Sequence, residues 1–128
     1  MSSYSKIKQS KVITFNKILS DLLAQMSPII GSTYHKNFAW LIGMNVILPI
    51  NSFLDYALPH KDMILNKDDK FFNQNELPPN LSELDETFVN EIIQLKNIYY
   101  KLDEDSKENM WGIFQSLLIL SIEYKDLC

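Results

Sequence analysis

The chain has 128 residues, 46% of them hydrophobic, and a net charge of −4, which describes one domain able to bury a core without metal or disulfide staples. All twelve of its basic side chains are lysine, so the bidentate guanidinium forks that grip phosphate, carboxylate and guanine edges are missing, which argues against a nucleotide enzyme, a sequence-specific DNA reader or a phosphopeptide module. The single cysteine, Cys128, permits no internal disulfide and suits a reducing compartment.

Helical spacing governs the chain. Residues 1–10 read as an N-terminal tail. Phe15, Ile18, Leu19, Leu22, Leu23 and Met26 then recur on one face of a helix, with Lys17, Ser20, Asp21 and Gln25 on the other. Ser10 or Thr14 can cap its start, and Pro28 with Gly31 marks its end. A second helix is predicted over residues 34–48. Phe38, Trp40, Leu41, Ile42, Met44, Val46, Ile47 and Leu48 make it apolar nearly all round, the pattern of a helix in the middle of a bundle. Asn45 then needs a hydrogen-bond partner.

Pro49 suits the first turn of a third helix with Ile50, Phe53, Leu54 and Leu58 inward. Pro59 breaks it, and a short helical piece runs on to Asn66. Residues 66–82, with Pro78–Pro79, form the predicted surface loop between two helical halves. Helix resumes after Ser82, with Asp85 placed to complete a capping box, and Leu84, Phe88, Ile92, Leu95 and Tyr99 form its stripe. The acidic turn at Asp103, Glu104 and Asp105 opens a last helix that carries Met110, Trp111, Phe114, Leu117, Leu118 and Tyr124. No strand alternation or repeat intervenes. The expected fold is all-α, a compact bundle of about five helices in a single domain over residues 1–128.

Chemistry-bearing motifs are sparse. His35 and His60 have no cysteine or histidine at zinc spacing, and each reads as a cap or surface residue. The 103–105 carboxylates open like a calcium loop, but Lys107 takes a ligand position and Glu108 stands where the turn demands glycine. A shallow carboxylate site at Asp68, Asp69 or Glu76 is the weakest of the functional options. The expectation is therefore no catalytic residue, no cofactor and no metal. The apolar run over residues 38–50 is interrupted by Gly43, Asn45 and Pro49, and the first residues lack a signal-peptide core, so a soluble, intracellular protein without a membrane partner is expected.

Two surface features remain. Phe71 and Phe72, adjacent aromatics in a polar loop, read with Leu77 as contact anchors for a protein partner or a second copy; the plainer alternative is that one plugs the bundle and the other covers a loop. Lys6, Lys8, Lys11 and Lys17 could meet nucleic-acid backbone by charge alone. Charge is indeed uneven: +4 over residues 1–40, −1 over 41–75 and −7 over 76–128.

The chain resembles a group of small uncharacterised helical proteins of nucleocytoplasmic large DNA viruses, the giant viruses. The resemblance rests on Phe15–Asn16, Tyr34 with Lys36, Asn45, Pro49–Ile50 with Phe53, and Pro59. It continues through Lys67–Asp68–Asp69, Phe71–Phe72 and Lys107 to Trp111, covering residues 15–124. That pattern usually has glutamate at position 69 and tyrosine at 60. Abundant Lys, Asn, Ile, Phe and Tyr agree with an A/T-rich genome. The resemblance implies a viral setting, in host cytoplasm, viral factory or virion, and no activity. Together these readings lead to a non-enzymatic helical interaction module, a virion component or viral-factory adaptor. The alternative is a lysine-dependent, nucleic-acid-associated accessory factor in viral transcription or replication.

Overall fold

The computed structural model describes residues 3–73, 77–79 and 81–128, without the side chains of 3 and 4. Among them there is no strand. Five helices of ten or more residues carry the fold: α1 (Ser3–Ile30), α2 (Thr33–Met44), α3 (Leu48–Ala57), α5 (Glu83–Asn97) and α6 (Glu104–Asp126), with a single-turn α4 (Lys61–Leu65) after α3. Short 3-10 turns at Leu58–His60, Asp69–Asn73 and Tyr99–Lys101 join them. The all-α bundle expected from periodicity is what forms.

Helix α1 begins at Ser3, so residues 3–10 are helical and not a tail. It also runs through Pro28, whose ring leaves the carbonyl of Ala24 without its usual donor; both residues are exposed, so water can serve that carbonyl. Gly31, at φ 87°, then ends the helix and donates to Ser27 O at 2.8 Å. The buried stripe is the predicted one, with Phe15, Leu19, Leu22, Leu23 and Met26 all inside. The first turns of α1 lie along the last turns of α6, where Lys11 meets Glu123 at 3.2 Å.

A column of rings fills the middle. Phe53 of α3 stands 5.5 Å from Phe15 of α1 and 6.1 Å from Phe114 of α6, centroid to centroid. Such pairs add about 0.5–1.5 kcal/mol each beyond the area they bury. Helix α5 starts as its sequence dictates. Ser82 accepts from Asp85 N at 3.1 Å and donates to Asp85 Oδ2 at 2.7 Å, while Ser52 of α3 donates to the other oxygen of Asp85. One carboxylate thus fixes a helix start and ties it to α3. Helix α6 starts on Asp103, which accepts from Ser106 N at 2.7 Å, and that bond holds its carboxyl below the usual range.

Helix α2 departs from expectation. It is cut to 12 residues at Met44, and it buries only Phe38 and Leu41. It packs on α1, α3 and α5 from the edge of the bundle, and its outer apolar side chains stay bare. The link Asn45–Val46–Ile47 is pinned by two amides: Asn16 Nδ2 donates to Val46 O at 3.0 Å, and Ile47 N donates to Asn45 Oδ1 at 3.2 Å. No single described helix is long and apolar enough to cross a membrane; α2 with residues 48–65 passes on composition only as a pair bent by 112°.

Candidate functional site

The Phe71–Phe72 pair is not a surface anchor. Both rings are buried, at 0% and 2% exposure, because the Asp69–Asn73 turn drives them between α4, α5 and α6. Phe72 stacks on Tyr99 at 3.8 Å with the rings 7° from parallel, and meets Trp111 edge-on at 4.8 Å. Phe71 packs on Phe114 at 5.5 Å. The turn is held from outside as well, since Tyr99 donates to Asp69 Oδ1 at 3.0 Å and Trp111 donates to the Tyr99 hydroxyl at 3.1 Å. Polar neighbours in sequence hid this burial: consecutive side chains of a 3-10 turn diverge by about 120°, and both rings are covered because α4, α5 and α6 surround the turn. Leu77, the third predicted contact, is exposed and lines a cavity with Tyr56 and His60, whose rings pack on Phe71.

The four lysines of α1 do not make one basic face. At roughly 100° per residue, Lys8 and Lys11 project to one side of the helix and Lys6 and Lys17 to the other. Lys11 pairs with Glu123, Lys17 pairs with Asp21 at 3.4 Å, and Lys8 lies 5.7 Å over the ring of Tyr124. Of the carboxylates considered for a shallow site, Asp69 is engaged by Tyr99 and Asp68 accepts from Lys70 N at 3.0 Å; Glu76 lies outside the described residues. His35 shares a hydrogen bond of 3.1 Å with Ser20 across the α1–α2 contact, and His60 packs its ring on Tyr56 and Phe71.

The structure brings together an apolar surface that periodicity did not announce. Trp40 and Met44, one turn apart on the outside of α2, are 56% and 57% exposed. Val46 and Ile47 continue the line beyond the helix. Across from them Ile13 of α1, 57% exposed, shares with Val46, Ile47 and Tyr124 the lining of a groove of about 310 Å³ whose one charged wall is Lys8. Ile13, Trp40, Met44, Val46 and Ile47 are each 39–57% exposed.

Sequence reasoning also missed Lys96. Its side chain has 0% exposure; the amine donates to the hydroxyl of Tyr56 and lies 4.9 Å and 4.2 Å from the ring centroids of Tyr56 and Phe71. Desolvation lowers its pKa to about 7 and raises that of Tyr56. The signal was present: Lys96 stands one turn after Ile92 and three residues before Tyr99, inside the buried stripe. The neighbouring cavity of about 250 Å³ is lined by Tyr56 and His60, and Lys96 is not among its walls. The amine therefore organises the aromatic interior and does not face a substrate space.

Comparison of the chain with family models, with curated proteins and with solved structures gives no match.

Proposed function

We propose that this protein is a non-enzymatic helical interaction module that docks a protein partner, or a second copy of itself, on the apolar band formed by Ile13, Trp40, Met44, Val46 and Ile47. The observation that carries this reading is the exposed Trp40–Met44 edge of α2, followed along the chain by Val46 and Ile47 in the wall of the groove beside α1. Trp and Met are enriched at protein interfaces, and tryptophan is prominent among the residues that dominate binding energy. An all-round apolar helix normally sits inside a bundle, so α2 at the edge suits a further layer laid over it. The resemblance to giant-virus proteins leads us to place the module in the host cytoplasm, as a virion component or a viral-factory adaptor.

The test is site-specific photo-crosslinking from position 40 in infected cells, beside sedimentation of the purified protein. A discrete adduct to one protein, or a self-adduct with a dimeric sedimentation coefficient, is expected. The adduct should vanish when Met44→Lys is added to the probe-bearing protein, and the dimer should vanish in Trp40→Lys/Met44→Lys protein that melts like the parent. A strictly monomeric protein that yields no adduct from position 40 refutes the proposal.

A further inference from the structure

On the face of α2 that also carries Trp40, the start of α2 and the middle of α5 enclose an open cleft of about 390 Å³, lined chiefly by Thr33, Tyr34, Asn37, Asn90, Glu91 and Gln94. Three amides, two hydroxyls and one carboxylate meet there, with no cationic side chain among the walls. Such a volume, with a few convergent polar groups, suits a small ligand.

Glu91 is the unusual member. One of its oxygens accepts from Asn37 Nδ2 at 3.2 Å. The other is sealed from solvent and has no hydrogen-bond partner among the described residues. A buried carboxylate oxygen without a donor is costly. Its own surroundings do not resolve that cost. Behind Glu91 lies a cavity of about 10 Å³ walled by apolar side chains of α1, α2 and α5, among them Leu19, Leu23, Phe38 and Phe88. A water there would have Glu91 as its one polar neighbour, whereas buried waters are held by about three. None of the described ion pairs involves Glu91. Burial also raises its carboxyl above the usual range, against the lowering effect of the Asn37 bond.

We propose that this cleft binds a short aliphatic diamine, with one ammonium on Glu91 and the amide oxygens of Asn37, Asn90 and Gln94 around it. The end torsion of a glutamate is broad, so a partial turn, short of the half-turn that merely exchanges the two oxygens, can draw the sealed oxygen toward the cleft while α5 stays in place. An ammonium brings three donors and no acceptor, which is what a carboxylate and amide oxygens can satisfy together. Tyr34 supplies an aromatic wall of the kind that attracts cations. Glu86, exposed on α5 one turn before Asn90, continues the same face and offers the second ammonium a rim counter-ion. The cleft adjoins the apolar band, with Asn37 three residues before Trp40 on one face of α2, but shares no lining residue with it.

Titration of the full chain with 1,5-diaminopentane, followed by nitrogen–proton NMR of the side-chain amides, tests it, with 1-aminopentane and 1,5-pentanediol as comparators. Saturable shifts confined to Asn37, Asn90 and Gln94 are expected with the diamine, weaker ones with the monoamine and none with the diol. Glu91→Gln, near-isosteric and uncharged, should weaken diamine binding by at least about tenfold, the scale of a charge-assisted hydrogen bond. Glu86→Gln should narrow the gap between diamine and monoamine. Asn90→Lys, an exposed substitution that places a fixed cation at the rim, should abolish binding with the melting curve unchanged, which keeps the test decisive if Glu91→Gln does not fold. The proposal is overturned if the diol shifts the same amides equally, if the amides do not respond to the diamine, or if folded Glu91→Gln or Asn90→Lys binds like the parent.

Discussion

Removing the charge of Lys96 should erase the dependence of stability on pH between 7 and 9. The amine is wholly buried, and desolvation takes its pKa from the usual 10.5 down to about 7. Between those two values the unfolded chain holds a proton that the folded chain has shed. Stability therefore rises with pH across that window and falls as pH drops toward 7, at about 1.4 kcal/mol per pH unit for a full proton. Integrated from pH 7 to pH 9, where the folded amine is already half deprotonated at the start, the gain is about 2 kcal/mol. The buried tyrosines act in the opposite sense. Tyr56, Tyr99 and Tyr124 have raised pKa values, so their contribution is present below the ordinary tyrosine range and is lost above it. Stopping at pH 9 keeps them silent. Urea melts at pH 7, 8 and 9 should show the parent midpoint climbing, and Lys96→Met should give a nearly flat series with an unchanged m-value. Parallel slopes in the two proteins would refute the reasoning, because the rise would then belong to some other group.

Phe72→Ala should cost about 3–5 kcal/mol in a denaturant melt, the range for deleting a buried aromatic ring, whereas a surface anchor at that position would cost almost nothing. Ser82→Ala should cost about 1 kcal/mol through loss of the α5 cap, and a double-mutant cycle with Asp85→Ala should show strong coupling, since the two side chains bond each other. Gly31→Ala should destabilise by about 1 kcal/mol although the added methyl meets no neighbour, because the cost lies in the positive φ; thermal melting of the single variant is a sufficient check.

Periodicity and local capping chemistry determined the helical class, the stripes of α1, α5 and α6, the cap at Ser82 and the acidic turn that opens α6. In each of these, spacing and local hydrogen bonding settle the outcome within a few residues. The residues that bear on function depended on which elements meet. Phe71 and Phe72 are adjacent in a polar stretch, and only the approach of α4, α5 and α6 around a 3-10 turn decides that both go inside. The second half of α2 is apolar nearly all round, a pattern that fits a central position equally well; truncation at Met44 and packing chiefly through Phe38 and Leu41 put its Trp40 edge in solvent. Full burial of Lys96 and the sealing of one Glu91 oxygen follow from the helices and turns that close over α5. Amphipathic order is written in neighbours three and four residues apart. The bare apolar edge and the unsatisfied carboxylate are set by contacts between distant segments, which no local pattern encodes, and the spacing that puts Lys96 on the buried stripe does not say how completely its amine is covered.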